Sequence, residues 1–348
     1  MPEPAPAIIV GVDTHTDTHT AVAIDLAGRR LADVEVSASP AGYRRLLEWA
    51  NTHGSIDAVG VEGTGSYGAG LARFLTAADV TVIEVGRPNR QHRRRYGKSD
   101  PADAEGAARA VLSGQAAGLP KSRDGIVESI RTLHVVKRSA IKARTQAANQ
   151  MTNLIVTAPD ATRDELRGLT SLKRARRAAA WRPGTSHDPA TVTRRAIRAL
   201  ARRWLDLTTE INTHNTALDE MIAVAAPNLL AELGVSRDVA AKLLITAGDN
   251  PDRIRTEAGF AALCGVNPVA ASSGKTTRHR LNRSGDRQAN NALWTIARVR
   301  LSHDPATRAY GERRKAEGLS HREIVRCLKR YLARRLHPII LKDLAALT

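Results

Sequence analysis

Aromatic residues are scarce in this chain: two Phe, four Trp and five Tyr make up 3% of its 348 residues. A protein that holds single strands by stacking successive bases on Phe or Tyr is therefore not expected, and contacts from Arg to a phosphate backbone are better supported. Only two cysteines occur, Cys264 and Cys327, far apart and without ligand-type spacing, which excludes a disulfide scaffold and a zinc knuckle. No apolar run reaches spanning length, and the opening MPEPAPA has neither the basic nor the apolar region of a signal peptide. A soluble, cytoplasmic protein with no membrane partner is expected. Acid is scarce relative to base: 35 Asp+Glu against 53 Lys+Arg give a formal charge of +18, which calls for a polyanionic partner, nucleic acid above all.

The length exceeds what one hydrophobic core usually supports, so two domains and a connecting element are expected. From Ile8 to Val36 alternating β-branched and polar residues predict three strands in an antiparallel meander, IIVGVDT, HTAVAIDL and RLADVEV. A helix over 41–51 follows, then a short strand AVGVE ending at Glu62, a glycine-rich turn GTGSYG, a helix over 71–78 and a strand VTVIEV. The basic stretch RPNRQHRRRYGKS, with Arg93, Arg94 and Arg95, leads into the Ala-rich helix DPADAEGAARAVL. That order, βββαβαβ, is the RNase H-like (RuvC-type) order.

Beyond about residue 120 strands disappear from the pattern and basic helices replace them. A three-four alternation runs through Ile197, Leu200, Trp204, Leu207, Ile211, His214, Leu218, Met221 and Ala225, the seam of a coiled-coil arm. The segment from Ile126 to Ile155, with Ile130, Leu133, Ile141, Met151 and Leu154 on its apolar side, is a candidate antiparallel partner. Packing within one subunit and dimerisation both fit such an arm. After Pro227 the run LLAELGVSRDVAAKLLITAGD has the form helix, Gly-containing turn, helix, which suits either a helix-hairpin-helix phosphate contact or plain packing. The expected division is 1–118 for the α/β domain, 119–226 for the helical arm and 227–348 for a mainly helical C-terminal domain.

Four acids stand where an RNase H-like order would gather them: Asp13 in the first strand, Glu62 ending the fourth, and Asp100 and Asp103 at the head of the Ala-rich helix. Taken singly, each has a simpler reading: a strand-end turn, a partner for a nearby Arg, an acidic first helical turn. Together they point to carboxylates that hold divalent ions for phosphodiester chemistry. Pro101 steers Asp100 toward a cap position. His15, Asp17 and His19 straddle a strand turn and are expected to be solvated. In the C-terminal half, GFAALCGVNPVAASSGKTTRHRLNRSGD has the small residues and cations of a flexible loop, either a phosphate-binding turn or the site of a nucleophilic serine.

The motifs GVDTH, VEGTGSYG, KSDPADAEGAA and GDNPDRIRTEAGFAALCGVNPVAASSG, in this order, resemble the DEDD transposases of insertion-sequence family 110, the group known for recombination guided by a bridge RNA. The resemblance implies that Asp13, Glu62, Asp100 and Asp103 bind Mg²⁺ or Mn²⁺ and meet a serine of another subunit. Ser273, just before Gly274, is the implied nucleophile, with Ser272 the alternative. It further implies donor and target double-stranded DNA, a noncoding guide RNA, a homo-oligomer (a dimer, or a tetramer when active) and residence with the nucleoid. Lys275, Arg278, Arg280 and Arg283, with Arg93 to Arg95, are the expected nucleic-acid contacts. A RuvC-like junction nuclease using water, and a binding protein without chemistry, are the competing readings.

Overall fold

The computed structural model describes residues 6–86, 99–272 and 279–347. They form two compact units, Met1–Arg123 with Ala247–Arg255, and Asp124–Thr246 with Thr256–Thr348. No helix among the described residues is long and apolar enough to cross a membrane.

In the first unit the meander is present as β1 (Ala7–Thr14), β2 (Thr18–Asp25) and β3 (Arg30–Ser37). Helix α1 (Pro40–Asn51) starts at an extended Ser39 whose side chain accepts from the Gly42 amide, an N-cap followed by Pro at the first turn. Then come β4 (Ser55–Glu62), α2 (Ala69–Ala77), β5 (Val82–Val85) and α3 (Asp100–Leu112). The sheet order is β3-β2-β1-β4-β5, with β1, β4 and β5 parallel and β2 antiparallel to both neighbours. This mixed five-stranded sheet is consistent with the RNase H-like order.

Alternation sorts the two faces. Ile8, Val10 and Val12 join Val59, Val61, Leu46, Leu71 and Leu75 in a core under α1 and α2. Ile9, Val22 and Ile24 pack on the other face against Ala104 and Ala108 of α3. On that second face two strand residues carry no side chain, Gly11 and Gly60, which are paired across β1 and β4. A Cβ at Gly11 would lie 2.0 Å from the Ala104 carbonyl oxygen and 2.3 Å from the Ala108 nitrogen, and one at Gly60 2.7 Å from Val111 Cγ2. The glycines let the α3 backbone rest directly on the strands, which places the head of α3 over the ends of β1 and β4.

A distant stretch completes this unit. Asn250 accepts from the Ser122 amide at 3.2 Å and donates to the Pro120 carbonyl at 3.0 Å, and the buried Arg253, in a short 3₁₀ turn over Pro251–Ile254, reaches Glu84 of β5 at 3.4 Å.

The second unit is built on two long helices, α4 (Ile126–Val156) and α7 (Pro189–Ala225), packed antiparallel: Arg144 lies over the Trp204 ring, and Met151 and Ile155 share a core with Ile197 and Ala201. Every residue of the 197–225 alternation is buried or half-buried. One residue expected on the apolar side of α4 is not there: Ile141 is exposed, because the buried line runs through Ile130, His134, Ala140, Ala147, Met151 and Ile155, and Ile141 lies a full helical step beyond Ala140. Between the long helices, α5 (Asp160–Leu166) and the basic α6 (Ser171–Ala179) close the end of the pair. There Glu165 accepts from Trp181, Arg177 and Arg194, and Arg194 stacks over the Trp181 ring at 3.9 Å.

The rest of the unit comprises α8 (Pro227–Leu230), α9 (Arg237–Ala247), α10 (Glu257–Leu263), α11 (Arg287–His303), α12 (Pro305–Ala316) and α13 (His321–Ala345). It also contains strands, contrary to expectation: β6 (Pro268–Ala270) and β7 (His279–Leu281) pair antiparallel. Each has three residues and almost no buried position, so no alternation marked them. The turn between α8 and α9 is used for packing at its glycine: Gly234, in the left-handed region at φ 89°, lies against Ile296 and Val299 of α11.

Candidate active site

β1 and β4 run parallel and in register up to Val12 and Val61, so Asp13 and Glu62 occupy the next positions side by side. Both follow the alternation of Gly11 and Gly60 and so belong to the face that α3 covers. Asp100 and Asp103 are in the first turn of α3, with Asp103 buried. Asp100 is not the cap expected from Pro101. Ser99 takes the extended cap conformation, φ −145° and ψ 148°, and Asp100 is the first helical residue. A proline in the first turn removes only an amide that would have had no helical partner, so the helix can begin one residue before it.

Asp13, His15 and Asp100 come together, with ligating atoms within 4.8 Å of one another. His15 Nε2 is 3.3 Å from an Asp13 oxygen and 3.4 Å from an Asp100 oxygen. His15 is exposed just past the end of β1, as expected of a turn residue, but it does not stand apart from the acids. β1 remains extended through Thr14, so His15 keeps the parity of Asp13 and its imidazole reaches back over the strand end. The expectation of solvated turn residues is overturned for His19, which is fully buried on the opposite face, its ring parallel to Tyr43 at 5.7 Å and its Nδ1 2.9 Å from the Thr18 carbonyl. Burial holds the His19 pKa below its usual value. Asp17, like His15, is exposed.

Burial is also the main reason that Asp13 has a raised pKa. The His15 charge opposes the rise, while the charges of Asp103 and Asp100 add to it. Three carboxylates therefore compete for charge at one strand end, and two of them, Asp13 and Asp100, bring hard oxygen donors together with one imidazole. That donor set suits a divalent cation, which relieves both the burial cost and the mutual repulsion. Glu62 stands beside this group; its backbone carbonyl accepts from the Thr14 hydroxyl at 2.9 Å.

In the second unit, Ser272 is exposed at the end of β6, and Arg280 and Arg283 are exposed in and after β7. Ser273, Lys275 and Arg278 lie outside the described residues, as do Arg93, Arg94 and Arg95. The strands that carry this loop are braced at their base by Asn282, whose amide donates to Asn267 at 2.7 Å and to the Ala262 carbonyl at 3.2 Å.

Residues 10–159 match the DEDD transposase model of the IS110 group, and residues 226–312 match the model described as the transposase IS116/IS110/IS902 family. Together these cover more than half of the chain. The chain belongs to the IS110 family of transposases. In Streptomyces coelicolor, the mini-circle IS117 protein, assigned as a transposase, is 24% identical over 97% of this chain and 94% of its own length. The uncharacterized protein of insertion element IS110 from the same organism is 34% identical over 30% of this chain; the match spans about a quarter of that protein, 26%. The first matched segment contains all four acids and His15, and the second contains the serine loop and both strands that carry it. Membership makes the protein a transposase, hence a recombinase acting on DNA, and indicates dependence on a divalent metal.

Proposed function

We propose that this transposase cuts and rejoins DNA through a covalent serine–DNA intermediate, with donor and target selected by a noncoding bridge RNA. The supporting observation is the meeting of Asp13, His15 and Asp100, from two elements distant in sequence, at one strand end beside Glu62 and Asp103. Mg²⁺, or Mn²⁺ in its place, held by Asp13, Glu62, Asp100 and Asp103, would offset charge on the attacking and leaving oxygens. Ser273 is the nucleophile. Its hydroxyl oxygen forms a bond to phosphorus as the phosphodiester breaks, its proton leaves, and one strand end is released as a free hydroxyl. Attack by a hydroxyl of the exchanged strand reverses the step and restores the serine. Lys275, Arg278, Arg280 and Arg283 hold backbone phosphates near the serine, and Arg93, Arg94 and Arg95 do so near the carboxylates.

The working form we propose is a homo-oligomer in which the carboxylates of one subunit meet the serine of another, with the protein resident on the nucleoid. In this reading 1–118 is the RuvC-like domain, 119–226 the coiled-coil arm and 227–348 the serine domain.

Covalent capture tests the chemistry. Protein, guide RNA and DNA carrying the element ends are mixed with the divalent ion and resolved on a denaturing gel. Ser273→Ala is expected to abolish the adduct and to lower recombination by at least about 10³-fold while DNA binding persists. Ser272→Ala is expected to retain both. Strand cleavage without an adduct in the unaltered protein would make water the nucleophile and end the serine reading.

A further inference from the structure

Beneath the hairpin of β6 and β7 the second unit contains a groove of about 610 Å³, walled on one side by the bases of the two strands and on the other by α13. Five cations line it: Arg280 from β7, and Arg326, Lys329, Arg330 and Arg334 from α13. Two of them share one carboxylate within the fold, since Glu257 takes a bidentate pair from Arg330 and lies 4.0 Å from Arg334. Among the described residues, Arg280, Arg326 and Lys329 form no ion pair. The one carboxylate in the lining, Glu323, is hydrogen-bonded in the capping box of α13 with Ser320 and feels the Arg326 charge without forming an ion pair with it.

Lys329 shows most clearly what is missing. It is half-buried, and its ammonium donates to a neutral acceptor, Asn290 Oδ1, at 2.8 Å. The Asn290 amide nitrogen is itself fixed by the carbonyls of Cys264 and Gly265, both at 3.0 Å, so Lys329 is held in place by a rigid amide with no counter-charge. Burial, with the charge of Arg326 beside it, keeps the Lys329 pKa below its ordinary value. A half-buried ammonium next to a guanidinium that has no close ion pair is costly alone and favourable once an anion sits between them. Tyr331 adds an exposed aromatic face to the same wall.

We infer that this groove is a binding site for the sugar-phosphate backbone of DNA, with Arg280, Arg326 and Lys329 contacting successive phosphates. A linear polyanion fits an open groove better than a compact anion does. The strands that wall the groove are also the strands that flank the serine segment in sequence, so a backbone seated here lies against the elements that carry it. The inference rests on the DNA-recombinase reading above and adds to it the track by which the strand arrives. Arg326, Lys329 and Arg280 act as positioning residues.

The test measures binding of labelled random-sequence duplex DNA to the full chain across a salt series, alongside the covalent-adduct assay. Each phosphate contact removed is expected to reduce the slope of log K against log salt by about 0.9, so Arg280→Gln with Arg326→Gln should lower it by roughly 1.8 and the triple variant with Lys329→Gln by roughly 2.7. Arg280 and Arg326 are exposed, so the pair remains informative even if Lys329→Gln disturbs folding. Adduct yield at limiting DNA should fall with affinity and recover at saturating DNA. Unchanged slopes while the unaltered protein still forms its adduct would overturn the groove and leave the serine chemistry standing. Slopes that fall in a protein that cleaves without an adduct would support the groove and refute the serine. Variants that lose affinity for structured RNA and keep it for DNA would also overturn the inference.

Discussion

Asp13→Asn is expected to abolish strand cleavage and at the same time to raise the melting temperature of the metal-free protein. Both effects come from one carboxylate. Asp13 is buried, and Asp100 and Asp103 crowd it with like charge. Its folded-state pKa is raised, so ionising it costs more in the native chain than in the unfolded one. That cost is fully present above the folded pKa, shrinks as pH falls through it, and vanishes below the unfolded value. The stabilisation gained by the Asn variant should therefore be largest at neutral pH and disappear on acidification. Added Mg²⁺ should raise the melting temperature of the unaltered protein by mass action and leave Asp13→Asn nearly unmoved. Cleavage should fall by at least about 10³-fold, the equivalent of several kcal/mol of lost charge stabilisation. Calorimetry with and without Mg²⁺ and a cleavage assay read the two effects separately. An Asn variant that is less stable than the parent at neutral pH would mean that the three acids do not share a charge problem, and the site would lose its main support.

The acids were legible because the features that place them are local. Alternation marked β1 and β4, proline and alanine marked α3, and the order of elements then implied that strand ends and helix head converge. The glycines that let α3 settle were visible as letters, but their purpose was not, since nothing in IIVGVDT says that a helix ninety residues later will touch its backbone. The part of His15 beside the acids was missed because it depends on Asp100, which reaches the end of β1 only once α3 has packed on the sheet. Segment 247–255 was invisible for a different reason: its contacts with Pro120, Ser122 and Glu84 are made by single polar side chains, and these leave no periodic trace. The same holds for the groove, where Lys329 and Arg326 look from sequence like any solvated helical face. Only the position of Asn290 and the absence of a carboxylate on the facing wall set them apart.

Two glycine substitutions, one inside the contact between β1 and α3 and one in α3 away from it, give the second large effect. Gly11→Ala should destabilise the first unit by about 3 kcal/mol or more, since the new methyl meets the main chain of α3 at Ala104 and Ala108 and not the far end of a side chain that could rotate away. Gly106→Ala, within α3 itself, should stabilise by about 0.5–1 kcal/mol, because a Cβ there has nothing within 4 Å and alanine restricts the unfolded chain. Denaturant titration of the two variants reads the contrast directly. The consequence for chemistry follows the same geometry: relief of the Gly11 clash requires α3 to lift from the sheet, and Asp100 and Asp103 move with it away from Asp13. A displacement of about 1 Å is enough to cost roughly 10²-fold in rate. Gly11→Ala should therefore lose cleavage even under conditions where it remains folded, whereas Gly106→Ala should keep it. Equal stability of Gly11→Ala and the parent would show that α3 does not rest on β1, and the carboxylates at its head would then have no means of being held over the strand end.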